Sequence, residues 1–201
     1  MFKTIAVILA GAMFFVTAVA AVSAQEVLMN SAETINQGNV KLAVFPTVLF
    51  GKKGADSLWG VAGRFGYGLT ERFDIEAKGA IFKDLRYIGI DAEYWLVKGT
   101  SFNVSAALGG HLTDAKGGAD SSGIDAALLL STSPVLNLEL YGGFKVAFDS
   151  AKNSDHNFTR AHLVPGLEYR LGDNLDFLAE VGIALNDDAR SYASLGLALY
   201  L

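Results

Sequence analysis

From residue 40 onward the chain alternates between apolar and polar positions, segment after segment. Side chains on a β-strand point to opposite faces in turn, so such alternation describes strands with two chemically different faces. In the first segment Val40, Leu42, Val44, Pro46, Val48 and Phe50 share one face, and Lys41, Ala43, Phe45, Thr47 and Leu49 the other. Trp59, Val61, Phe65, Tyr67 and Leu69 then oppose Gly60, Ala62, Arg64, Gly66 and Gly68. Phe73, Ile75, Ala77 and Ile81 oppose Asp74, Glu76 and Lys78, and Ile88, Ile90, Ala92, Tyr94 and Leu96 oppose Asp91 and Glu93. Further along, Phe102 to Leu112 face away from Ser105 and His111, and Ile124 to Leu130 from Asp125. Leu136, Leu138, Leu140, Phe144, Val146 and Phe148 oppose Glu139 and Lys145, while Ala161 to Tyr169 oppose Arg160, His162, Glu168 and Arg170. Leu175, Phe177, Val181 and Ile183 oppose Asp176 and Glu180, and the leucines from Leu195 to Leu201 close the series. About ten strands are predicted, and no charge falls on the apolar face of any of them.

The connections come in two kinds. Thr70–Arg72, Lys98–Thr100, Ser133–Val135 and Gly172–Asn174 read as tight turns. Residues 51–57, 114–121, 149–157 and 186–190 read as longer loops rich in Gly, Asp, Asn and Lys, with a short exception near Lys83–Leu85. Tight and long connections alternating along consecutive antiparallel strands describe an up-and-down arrangement with unlike ends.

Composition narrows the chemistry. The 201 residues suffice for one closed barrel, and the absence of cysteine removes disulfides, thiolate zinc sites and thiol catalysis. Half the residues are hydrophobic, yet beyond residue 24 no run approaches the length of a membrane-spanning helix. Residues 1–24 read as a cleaved secretory leader: Lys3, an apolar stretch over 5–22, then small residues at Val22-Ser23-Ala24. Residues 25–38 follow as a polar lead-in, and 39–201 as the barrel. The net charge of −5, or −6 without the leader's lysine, excludes the basic footprint that nucleic acid requires.

The competing architecture is an exported soluble barrel with its apolar face inward. Two features argue against it. On the apolar face Phe50, Trp59 and Phe148 gather toward the long loops, and Tyr67, Phe73, Tyr94, Phe102, Tyr169 and Phe177 toward the tight turns. Aromatic rims around an aliphatic band suit the two headgroup levels of a bilayer. The polar face intersperses charges with glycines such as Gly60, Gly66, Gly109 and Gly166, which suits a narrow lumen where side chains interlock.

The end of the chain, Gly196-Leu197-Ala198-Leu199-Tyr200-Leu201, resembles the C-terminal assembly signal of bacterial outer-membrane β-barrel proteins, with Gly196, Leu199 and Leu201 as its marked positions. Turn sequences such as Tyr67–Asp74 and Tyr169–Asp176 are similar to the periplasmic hairpins of such barrels. The resemblance implies a transmembrane antiparallel up-and-down β-barrel in the bacterial outer membrane with both termini periplasmic. It also implies contact with outer-membrane lipid and lipopolysaccharide, and with the barrel-assembly machinery during biogenesis.

The inward face is then the candidate functional surface. It carries Lys41, Arg64, Lys78, Lys145, Arg160 and Arg170 against Asp74, Glu76, Asp91, Glu93, Asp125, Glu139, Glu168, Asp176 and Glu180, with His111 and His162 among them. Buried charges must pair or stay wet, and the predicted registers set Arg170 opposite Asp176, Lys78 opposite Asp91 and Arg64 near Glu76. Two functions follow: a largely filled structural or scaffold barrel, or a narrow, weakly cation-favouring pore for ions or small solutes. An outer-membrane enzyme is the third class, but no serine or carboxylate is placed to work with His111 or His162. No catalytic, metal or cofactor site is expected. The acids Asp114, Asp120, Asp149, Asp155, Asp187 and Asp188 fall in predicted loops and lack the spacing of a calcium loop. Residues 25–38 could occlude the turn-end mouth or hang free of it.

Overall fold

In the computed structural model, ten antiparallel strands close into one barrel. Residues 30–51, 56–116, 120–152 and 157–201 are described. The expected leader therefore lies outside them, as do parts of three long loops, including Asp155. The strands are β1 (Val40–Leu49), β2 (Leu58–Thr70), β3 (Phe73–Phe82), β4 (Leu85–Lys98), β5 (Asn103–Ala115), β6 (Ser121–Val135), β7 (Leu138–Ala151), β8 (Asn157–Arg170), β9 (Leu175–Ala184) and β10 (Tyr192–Tyr200). Each pairs with its neighbours in sequence, and β10 returns to β1 with Lys41 opposite Tyr200 and Leu49 opposite Tyr192. Closure leaves no strand edge, the condition for backbone groups to be satisfied in hydrocarbon.

The apolar face turns outward. Trp59 is 73% exposed, and Phe50, Tyr94, Phe102, Phe148 and Tyr169 are exposed beside a broad leucine and isoleucine band. Tyr67, Phe73 and Phe177 lie half-buried on the same face. In a soluble barrel these side chains would be the core. Here the core is the other face.

Three connections differ from the sequence expectation. β5 runs on to Ala115 and β6 begins at Ser121, so Asp114, expected in the 114–121 loop, is a strand residue opposite Arg86. The turn read at Ser133–Val135 belongs to β6, which runs on to Val135 through a register shift after Thr132. The reversal falls at Leu136–Asn137, where Leu136 is 89% exposed and Asn137 takes a φ of 66°. Asparagine tolerates that left-handed conformation better than most residues. At the other end β7 extends to Ala151, so Asp149 is a strand residue rather than a loop residue. The acid-rich run after it hides the strand end from composition alone.

The lead-in expected over residues 25–38 does not hang free over its described part. Residues 30–38 run inside the tight-turn end of the barrel, with Ala32 fully buried and Asn30, Ser31, Thr34 and Ile35 buried around it. Gly38, at a φ of 85°, turns the chain out of the lumen and into β1.

Candidate functional site

Alternation brings charged or histidine side chains of β1 to β9 into one lumen, where three groups form; β10 carries no charge. Arg86 and Asp114 stand opposite each other across β4 and β5 on the same face as the outward Ile88 and Leu112, so the expectation that no charge falls on the apolar face fails at this rim. At the tight-turn end, Glu76 receives Arg64 Nε at 2.7 Å and Lys41 Nζ at 3.4 Å. Lys41 also donates to Asn30 Oδ1 at 2.6 Å, and Asn30 Nδ2 donates to Glu93. Ser105 Oγ donates to Glu93 Oε1 at 2.5 Å, and the Ile35 amide donates to Asp74 Oδ2 at 2.7 Å. Carboxylate oxygens of Asp74, Glu76 and Glu93 come within 4.8 Å of one another. The lysine, arginine, amide and hydroxyl donors around them are protein groups.

Mid-lumen, Lys78 Nζ bridges Asp91 at 2.5 Å and Asp125 at 3.4 Å, and Arg64 Nη2 reaches Asp91 at 3.3 Å. His111 sits between two acids, with Nδ1 2.8 Å from Asp125 and Nε2 2.8 Å from Asp149. Arg160 grips Asp149 with Nε at 2.9 Å and Nη2 at 2.7 Å, the bidentate geometry that makes arginine–carboxylate pairs strong. Tyr87 stacks on the His111 ring at 5.1 Å and donates to Asp125 at 3.3 Å. Asp149 is thus a fully committed lumen residue that the sequence reading assigned to a loop.

The third group lies on the opposite wall. Glu180 accepts from Tyr192 at 2.5 Å and Tyr141 at 3.0 Å, and Glu168 from Tyr200 at 3.2 Å. Lys145 is buried opposite His162, whose Nε2 lies 3.1 Å from the Arg190 carbonyl. Glu139 faces Glu168 across β7 and β8. Arg170 stands opposite Asp176 as expected, but at the mouth: its side chain is 63% exposed and 3.9 Å from the acid. The expected register of Lys78 shifts by two residues. It faces Gly89, while Asp91 faces Glu76, and the Lys78–Asp91 pair forms diagonally. Arg64 likewise faces Lys78 and reaches Glu76 diagonally.

Glycines give these side chains room. A Cβ on Gly182 would stand 1.9 Å from the Tyr192 ring, on Gly166 2.2 Å from Tyr141, and on Gly196 2.0 Å from Phe45. Gly196, expected as part of an assembly signal, therefore also seats a lumen aromatic. Toward the long loops an apolar cluster of Phe45, Leu49, Phe82, Leu85, Tyr87 and Tyr192 fills the β1–β4 and β10 side. These residues fell on the polar face of the pattern, or outside it, and had no signal as a group. In the middle, the space left between Asn30, Arg64, Asp91, Glu93, Asp125 and Lys145 is about 10 Å³, the room of a single water. Of the two histidines weighed for catalysis, His111 has carboxylates at both nitrogens, Asp125 and Asp149, which sequence had not placed beside it, while Ser105 serves Glu93 and His162 meets the Arg190 carbonyl.

No family model matches the chain, and no curated protein matches it as a relative. Solved structures do. An outer membrane channel from Pseudomonas putida F1 aligns at 10% identity with a TM-score of 0.58, over 88% of this chain and all of that one. The N-terminal β-barrel domain of Pseudomonas aeruginosa OprF aligns at 16% identity with a TM-score of 0.40, over 82% of this chain and 98% of that one. The KdgM porin aligns at 10% identity with a TM-score of 0.46, over 79% and 98%. At these identities likeness speaks for fold, and only the first similarity is strong enough to carry weight. With the closed ten-strand antiparallel sheet and the outward apolar face, it gives the chain the fold of the bacterial outer-membrane β-barrel proteins.

Proposed function

We propose that this protein is a closed structural barrel of the bacterial outer membrane, a scaffold or partner platform rather than an open porin. The observation that carries the reading is the filled lumen. Charges interlock across it, the N-terminal segment occupies one end, and the space between Asn30, Arg64, Asp91, Glu93, Asp125 and Lys145 is about 10 Å³, while a larger space of about 740 Å³ borders Ala43, Ala62, Ala80 and Tyr87 on the β1–β4 side. Both termini face the periplasm in this reading, which puts the tight turns there and the long loops outside. Gly196, Leu199 and Leu201 act as the signal to the assembly machinery, and the loop acids Asp120, Asp187 and Asp188 meet divalent cations or lipopolysaccharide. Purified folded barrel in planar bilayers tests the closed state. Silence is expected, and stable, salt-dependent single-channel steps would overturn it. Outer-membrane fractionation with heat-modifiable gel migration tests the location, and a mature chain soluble without detergent would sink it.

A second reading is a narrow cation-favouring pore. Its support is the excess of carboxylates over cations on the inward face and the channel named among the structural similarities. Conductance steps with a reversal potential favouring cations would establish it in place of the first.

A further inference from the structure

The segment from Asn30 to Gly38 is held in the lumen by contacts of an unusual kind. It adds no strand to the wall: β1 to β10 close the barrel without it, and its one ladder contact is an isolated parallel bridge from Gln37 to Gly68. Two backbone bonds tie its end to β2, Gly38 N to Gly68 O at 2.9 Å and Gly68 N to Asn39 O at 3.1 Å. Side-chain and amide donors do the rest. Ile35 N serves Asp74, Asn30 serves Glu93, and Asn103 Nδ2 donates to Glu33 Oε1 at 2.9 Å.

The wall is shaped to receive it. A Cβ on Gly66 would stand 2.3 Å from Ile35 Cδ1. A Cβ on Gly68 would stand 2.2 Å from the Asn36 carbonyl oxygen and 2.4 Å from that of Ile35. Backbone atoms cannot swing aside as a flexible side chain can, so Gly68 admits the segment only because it has no side chain. The surrounding wall is acidic. Asp74, Glu76, Glu93, Glu139, Glu168 and Asp176 point inward near this end, against Lys41, Arg64 and Arg170.

We propose that residues 30–38 form a removable plug, and that the recess they fill is a cation-attracting vestibule that opens at the tight-turn end when the plug leaves. The barrel's hydrogen-bond ladder survives the departure because the segment is not part of it. The carboxylates of Asp74 and Glu93 lose donors that water and cations then replace. A recess in which one sign of charge is in excess, here six acids against three cations, concentrates the opposite ion. This holds whether or not the long-loop half conducts, and it is read by accessibility rather than by current.

The chain has no cysteine, so Ser105→Cys supplies a single thiol at the floor of the recess, beside Glu93. Folded barrel in micelles is treated with cationic and anionic methanethiosulfonate reagents of matched size. In the full chain the thiol is expected to be protected from both. Deletion of residues 25–37 is expected to abolish protection, with the cationic reagent about tenfold faster. Gly68→Ala in the full chain is expected to do the same by lifting the segment, which keeps the test valid if the deletion does not fold. Adding Asp74→Asn and Glu93→Gln is expected to bring the two rates together. Reaction in the full chain as fast as in the deletion variant, or continued protection in both folded plug variants, would overturn the plug. Equal rates for the two reagents before neutralisation would overturn the vestibule's charge.

Discussion

The two sides of the lumen are filled by different physics. On the β1–β4 and β10 side, Phe45, Leu49, Phe82 and Leu85 pack as an ordinary apolar core that lies inside the barrel. On the β5–β8 side, the same depth is filled by His111, Asp125, Asp149 and Arg160. Apolar filling stabilises through area removed from water and tolerates volume-conserving exchange. Ionic filling gains little net stability, because desolvation offsets attraction, yet each member becomes costly to remove alone. One side supplies bulk stability, and the other enforces which strand stands opposite which.

Changing each side in turn should expose this contrast. Arg160→Met leaves Asp149 buried without its bidentate partner and should cost about 4 kcal/mol in urea unfolding of the refolded barrel. Adding Asp149→Leu should recover much of that loss. A double variant no more stable than the single one would mean that the network does not act as a unit. Leu49→Ala, on the apolar side, should cost about 3 kcal/mol, with no partner change able to rescue it. Tyr192→Phe removes one of the two phenol donors to Glu180 and should cost about 2 kcal/mol, since a bond to a buried charge is lost while the ring stays. Arg170→Ala should cost less than about 0.5 kcal/mol, and less still at high salt, because its pair is at the water-exposed mouth. A large effect there would show that the mouth is packed more like the interior.

A similar contrast separates Asp149 from Asp176. Asp176 lies in a strand with clean alternation, and the turn just before it fixes its partner as Arg170. Asp149 lies where the alternation dissolves into Asp, Ser, Ala, Lys and Asn, so a buried ligand of arginine and histidine looks like loop chemistry. Lys78 shows an intermediate case. Its face was legible, but its partner depended on a two-residue shift in register that a short turn does not reveal.

Period-two patterning by itself determined the number of strands, their two faces and the closed all-antiparallel architecture, because a strand's side-chain direction follows from backbone geometry alone. It also determined which charges share the inner face, apart from Asp149, whose place in β7 the pattern did not show. Only the tertiary structure decided the partners, because diagonal neighbours across a tilted, twisted wall depend on register and shear. The tertiary structure also decided where residues 30–38 go. A polar segment has no periodicity to announce its place, and it is held at once by Asp74 and Glu93 of the β3–β4 hairpin, by Lys41 of β1 and by Asn103 of β5, groups that share one site only in the folded sheet.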